Sequence, residues 1–394
     1  MNLSKTLLAT ALFAAPFTLI GCGGSSDGHN NDSGQQYQFS GAVQKGPLQP
    51  GAVVTINELN QDLQPTGRSY TTQIEDYEGN YSVKERFNTP YVELVAHGYY
   101  FNELTNSTDE QMSMSAFVDM SATTQVNFNV ATAAMKQSVM TQVQASVMTQ
   151  VQAGTEFNEA VDKATSDLLK LYSYDPKQWS GHINFYNTNL SNSGDTSTLL
   201  LVISASTLTM ATDNKLSLEQ QIERIGQVLL EPESIQFKEM KQALNTYNLA
   251  LYKTAAYENT QKYFTEHGLD FNAPYIEYFI DVDSDGVLPN KDLPVFKYTS
   301  GVNIGSDEIG GLRPAGASAV DYQGRPMTFE IIGEFKHGEI ASIEHRDDGI
   351  SIWYRLTDAD FEGDSFDDCV TVNTVTPSPA NYPWKACVTI MKVN

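Results

Sequence analysis

Phe157-Asn158-Glu159-Ala160-Val161-Asp162-Lys163-Ala164-Thr165-Ser166-Asp167-Leu168-Leu169-Lys170-Leu171 decides the fold class. Its residues Phe157, Ala160, Val161, Ala164, Leu168 and Leu171 recur at offsets of 3, 4, 7, 11 and 14, which is one face of an α-helix. Gly154 reads as the stop of a preceding helix and Thr155 as the cap of this one. Further on, Leu199-Leu200-Leu201-Val202-Ile203 is apolar all round and predicts a buried central helix. Ser217 and Gln220 form a capping box ahead of Ile222, Ile225, Val228 and Leu229, and Pro232 closes that helix. A last helix is expected from about Ser234 to His267, stopped by Gly268. Residues 129–273 therefore read as a helical bundle.

On both sides of the bundle the period drops to two. Val53-Val54-Thr55-Ile56 is a strand bounded by Pro50-Gly51, and Tyr91-Val92-Glu93-Leu94-Val95-Ala96 is another, closed by His97-Gly98. Pro65-Thr66-Gly67 and Glu78-Gly79-Asn80 supply turns. Residues 37–128 read as a β-sandwich. Beyond the helices, Thr328–Ile332, Gly349–Tyr354, Cys369–Val372 and Cys387–Ile390 alternate again, so 274–394 read as a second, antiparallel β domain. The expected fold class is multidomain α+β: N-terminal β-sandwich, central helical bundle, C-terminal antiparallel β domain. A length of 394 residues suits two or three domains, and 41% hydrophobic residues exclude a wholly disordered chain.

The chain holds 48 acidic residues against 24 basic ones, a formal charge of -24. Such a surface repels phosphate backbones and attracts cations, which excludes nucleic acid as an expected partner. Three cysteines exclude a dense disulfide scaffold and a Cys-rich zinc site.

The N-terminus reads as an export signal. Lys5 is followed by an apolar stretch from Thr6 to Ile20, too short to span a bilayer core of about 30 Å as a stable anchor. It ends in Leu19-Ile20-Gly21-Cys22, which resembles the lipobox of bacterial lipoproteins. That resemblance implies removal of residues 1–21 and lipidation of Cys22, an anchor far firmer than a single acyl chain. Gly23 in place of Asp implies the outer membrane. Residues 22–36 read as a flexible tether, since Gly23 to Gln36 contains no apolar side chain. The expected location is the outer membrane, lipid-anchored and surface-exposed. In that oxidising envelope Cys369 and Cys387, each opening a Cys-Val-Thr run, are expected to pair, worth about 3 kcal/mol.

A second resemblance lies in the first β block. Gly41-Ala42-Val43-Gln44-Lys45-Gly46-Pro47, then Val54 to Leu59, Pro65-Thr66-Gly67 and Gly79-Asn80-Tyr81-Ser82-Val83 resemble the carboxypeptidase regulatory-like (transthyretin-like) domains of bacterial surface lipoproteins. It implies a structural spacer or binding module.

The most specific local motif is Asp281-Val282-Asp283-Ser284-Asp285-Gly286-Val287, with Asp292 at the twelfth place. Calcium takes six to eight hard oxygens, and carboxylates at alternate positions converge on one centre. The stretch resembles the calcium loops of EF-hand, dockerin and thrombospondin-type modules. The resemblance implies calcium held by Asp281, Asp283, Asp285, the carbonyl of Val287 and Asp292. Asp292 stands where an EF-hand has Glu, and Pro289 and Pro294 break any exiting helix, so a full helix-loop-helix is not expected. Without a cation the carboxylates would repel, which couples binding to local folding. Extracellular loops of this kind bind with Kd of about 10⁻⁴ to 10⁻³ M, which suits a structural ion.

Other features read more plainly. Asp358, Asp360, Glu362 and Asp364, followed by Asp367 and Asp368, read as a solvated acidic loop. Residues 138–145 recur as 146–153, an eight-residue duplication that lengthens a helix by about 12 Å. Tyr99-Tyr100-Phe101 and Tyr275, Tyr278 and Phe279 are read chiefly as core, with sugar stacking as the other use. No metalloprotease, P-loop or dinucleotide motif is present, and the Ser318 stretch lacks the last glycine of a nucleophile elbow. The expected role is non-catalytic: a calcium-stabilised binding or structural protein at the cell surface, in adhesion or surface assembly, with a glycan or protein ligand. Two other readings stay open. One is a secreted-type glycan or ester hydrolase whose carboxylates the fold assembles. The other is a periplasm-facing envelope assembly factor.

Overall fold

The computed structural model describes residues 34–121, 123–147, 153–175, 182–251, 254–282, 287–297 and 302–393. The signal 1–21, Cys22, nearly all of the tether, part of the duplication, and Asp283, Asp285 and Gly286 lie outside them. Among the described residues no helix is long and apolar enough to cross a membrane.

The chain is multidomain α+β, as expected. Its N-terminal strands form two sheets. One is ordered β4 (Asn80–Phe87), β1 (Gln35–Gln44), β7 (Phe128–Asn129), and the other β3 (Pro65–Gln73), β2 (Val53–Leu59), β5 (Tyr91–Asn102), β6 (Ser107–Asp119). The second is antiparallel throughout, while β1 and β7 run parallel. Alternation does its work here: Val54 and Ile56 point inward from β2 while Thr55 and Asn57 stay half exposed.

Helices α1 (Val130–Val147), α2 (Ala153–Leu171), α3 (Asp195–Asn214), α4 (Leu218–Val228), α5 (Ile235–Ala250) and α6 (Ala256–Glu266) follow. They share one continuous apolar core with the sandwich, running from Phe39 to Val295. α3 is buried along Leu199–Ile203, as its uniformly apolar sequence requires. Ser217 and Gln220 close their capping box, with hydrogen bonds of 2.9 and 3.3 Å.

Two expectations are corrected. α2 already begins at Ala153, so Gly154 and Thr155 sit in its first turn rather than ahead of it. The expected single helix over 234–267 is two, α5 and α6. Phe237, Met240, Leu244, Asn248 and Leu251 form a buried stripe, whose continuation would fall at 255 and 258. The buried residues are instead Ala256, Tyr257, Thr260, Tyr263 and Phe264, so the stripe slips in phase and the helix breaks to keep both segments on the core. Gly268 does stop α6, at φ +69° with the Leu269 N–H bonded back to Phe264.

The C-terminal strands build a separate core between two four-stranded sheets. One is ordered β12 (Gly338–Arg346), β13 (Gly349–Leu356), β10 (Leu312–Val320), β8 (Val295–Lys297). The other is β11 (Thr328–Ile332), β14 (Ser365–Thr376), β15 (Trp384–Met391), β9 (Val302–Gly305). All pairs are antiparallel except β15 with β9. Cys369 and Cys387 stand directly opposite on β14 and β15, are disulfide-bonded, and have Cα atoms 4.1 Å apart.

Candidate functional site

The described ends of the acidic segment, 281–282 and 287–292, lie just ahead of the boundary between the two cores. A short 3₁₀ helix, Ile276–Phe279, leads into the segment. Tyr278 is fully buried and anchors the far end of the segment: its hydroxyl donates to the Leu293 carbonyl at 3.0 Å and accepts the Tyr322 N–H at 2.9 Å. Desolvation pushes its phenol up to about 12. Asn381, from the loop before β15, accepts the Asn290 N–H at 2.7 Å and donates to the Asn290 carbonyl at 2.9 Å. Lys291 ion-pairs with Asp195 at the start of α3 and lies 4.8 Å over the Phe279 ring. The segment is thus tied to the helices on one side and to the C-terminal sheets on the other.

Of the five expected calcium ligands, Asp281, Val287 and Asp292 are described. Asp281 is buried, with 8% exposure, whereas Val287 is exposed. Asp292 accepts from the Gln323 side chain at 2.9 Å, and its carbonyl accepts from Arg325 at 2.7 Å. Arg325 in turn forks onto Asp321 at 2.6 and 3.1 Å, which holds the Asp321 carboxyl below its usual range despite desolvation. Among the described residues no three acids, histidines or cysteines stand close enough to share a metal. The fit to calcium rests on chemistry: a desolvated carboxylate at the first place, hard oxygen donors only, and loop ends fixed by neighbouring elements. A cleft of about 350 Å³ opens beside it, lined by Asp195, Tyr278, Phe279, Val287, Leu288 and Lys291.

The second acidic run does not converge. Asp358 bonds the His337 ring nitrogen Nδ1 at 2.7 Å, which holds its carboxyl below the ordinary range. Asp367 takes the Thr389 hydroxyl at 2.7 Å. Asp368 is buried and accepts the Lys336 and His337 N–H groups at 2.6 and 2.7 Å and the Tyr354 hydroxyl at 3.1 Å. These carboxylates serve separate structural tasks. Of the aromatic residues read chiefly as core, Tyr100, Phe101, Tyr278 and Phe279 are buried, Tyr275 is partly buried and Tyr99 is exposed.

One polar cluster escaped the sequence reading. Lys45 and Glu103 form a fully buried ion pair at 2.5 Å. The Ser204 hydroxyl of α3 donates to the other Glu103 oxygen at 2.8 Å, and the Lys45 ammonium lies 4.9 Å over the Tyr100 ring. Burial pulls the Lys45 amine below its ordinary range, against the pull of Glu103. Beside it the Gln44 amide donates to Asn189 at 2.7 Å and accepts the Leu190 N–H at 2.7 Å. The Gln44-Lys45 dipeptide therefore fastens the sandwich to the helical block. A buried lysine carries no local signal, because its partners lie 58 and 159 positions away.

No family model and no curated protein matches the chain. Among solved structures it is similar to the twitchin kinase region from C. elegans (Fn31-NL-kin-CRD-Ig26), at 10% identity and a TM-score of 0.22. The likeness covers 67% of this chain and 42% of that one, and at that score it carries no argument.

Proposed function

We propose that this chain is a lipid-anchored protein of the bacterial outer membrane, non-catalytic, with a calcium-stabilised binding or structural role at the cell surface. Its front module would be a transthyretin-like sandwich, and its ligand a surface glycan or protein. The observation that carries the reading is the acidic segment's position: it is bonded to α3 through Lys291 and to the C-terminal sheets through Asn381 and Gln323. A cation held by Asp281, Asp283, Asp285, the Val287 carbonyl and Asp292 would neutralise those carboxylates and stiffen the joint. The lipobox around Cys22 and the tether behind it support the anchor.

Thermal unfolding of the full chain tests the ion. Calcium at a hundredfold excess over Kd is expected to add about 2.7 kcal/mol, seen as a rise in Tm that chelator reverses. Asp283→Asn is expected to lose that rise. A Tm indifferent to calcium reduces the segment to an acidic turn. The anchor is tested by fractionation: Cys22→Ser is expected to move the chain out of the membrane fraction. Retention in membranes would refute lipidation at Cys22.

A further inference from the structure

Edge strands invite pairing with other chains, and folds usually blunt them with charge, proline or cover. Most edges here are blunted. β4 carries Lys84-Glu85-Arg86, and β3 carries Pro65 and Arg68. β6 lies under α1, whose Lys136 reaches Ser115 at 2.7 Å. β7, β8 and β9 have two, three and four residues.

Two edges remain that contain neither lysine nor proline, the five-residue β11 and the longer β12, whose charges Glu339, Glu344 and Arg346 all lie on one face. β12 has nine residues and pairs only with β13. Ile340 and Ile343 stand opposite Tyr354 and Ile352, so both lie on the face that carries the second core. Yet they are 37% and 42% exposed, because that core ends before it reaches them. Glu339 and Arg346 lie on the outer face, opposite Arg355 and Gly349.

We propose that β12 is a dimerisation edge, pairing antiparallel with β12 of a second copy across a two-fold axis at Ile343. Charge self-complementarity fits that occupant, and charge together with the length of pairing selects that register. A two-fold axis perpendicular to the sheet keeps inner residues opposite inner ones. With the bulge residue Ala341 set aside, centring on Ile343 places it against its own copy. Ile340 then faces His345 of the partner subunit, Ser342 faces Glu344 of the partner subunit, and Glu339 faces Arg346 of the partner subunit, each twice. A shift of one step centres the axis on Ser342 and sets Glu339 against a glutamate, Glu344 of the partner subunit. A shift the other way sets Glu344 against its own copy. Like charges directly opposite are destabilising, and of the two registers that pair seven residues of each copy, centred on Ile343 and on Ser342, only the first is free of them. It joins the two sheets into eight strands and covers the exposed isoleucines of both copies.

Sedimentation velocity of the full chain in non-ionic detergent, with charge reversal, tests this. The parent chain is expected to dimerise. Glu339→Arg alone, or Arg346→Glu alone, is expected to weaken the dimer by about tenfold or more, since two cross-strand pairs turn repulsive. The two changes together are expected to restore it. Residues directly opposite in an antiparallel pair lie about 4.5–5.5 Å apart, within disulfide reach. Ile343→Cys is therefore expected to give a covalent dimer on mild oxidation that the parent chain does not. A monomer at every concentration overturns the proposal. So does a dimer indifferent to the single reversals, which would place the contact on another surface, and so does failure of Ile343→Cys to cross-link.

Discussion

Replacing Lys45 with Met is expected to cost the first core about 3–5 kcal/mol, because it leaves the Glu103 carboxylate buried without its counter-ion. Both side chains are essentially inaccessible, at 0% and 1% exposure, so water cannot take the place of the missing ammonium. Glu103 would keep only the Ser204 hydroxyl from α3. The size of this effect comes from the penalty of an unpaired charge, not from the net worth of the pair. A buried pair exchanged whole for apolar residues is often neutral. The double variant Lys45→Met with Glu103→Leu is therefore expected to recover most of the loss. Denaturant unfolding of the three variants measures this. A Lys45→Met variant within about 1 kcal/mol of the parent would show that the pair is not desolvated as described.

Removing the disulfide by Cys369→Ser with Cys387→Ser is expected to cost about 3 kcal/mol, confined to the second core. The cysteines are 18 positions apart, and closing a loop of that length removes about this much freedom from the unfolded chain. Both cysteines are only partly buried, while their neighbours Val370, Ala386 and Val388 face inward, so the change opens no deep cavity. Trp353 and Trp384 lie on β13 and β15 and report on that core alone once Trp179→Phe silences the third tryptophan. Their unfolding midpoint should fall while the circular dichroism of the helices holds. Equal loss in both signals would mean that the two cores unfold as one.

The class of fold was legible because its evidence is local. Leu199–Ile203 and the alternation of Ile350, Ile352 and Tyr354 each state their burial within a few residues. The capping box at Ser217 needs four positions. What stayed illegible depends on distance along the chain. Residues 234–267 read as one helix, and only the packing of α6 on the sandwich reveals the slip between Leu251 and Ala256. Nothing local marks Lys45 as buried, since Glu103 and Ser204 meet it only in the fold. For the acidic segment, the sequence supplied the carboxylates, and the structure added Asn381, Gln323 and Asp195 as the groups that hold its ends. Those three come from separate elements and have no spacing that could announce them.

The boundary between the cores is crossed once. Every residue of the first core lies at or before Val295, and every residue of the second lies at or after Phe296. A gene cut at that codon would keep each set of buried core residues together, although it would divide β8 and take Val320 from the face of the first core. The last hundred or so residues thus carry a buried core of their own, joined to the rest through β8 and Val320. No such cut exists between the sandwich and the helices, because their shared core would be split in two. The front two-thirds, by contrast, can only be passed on as a single heirloom.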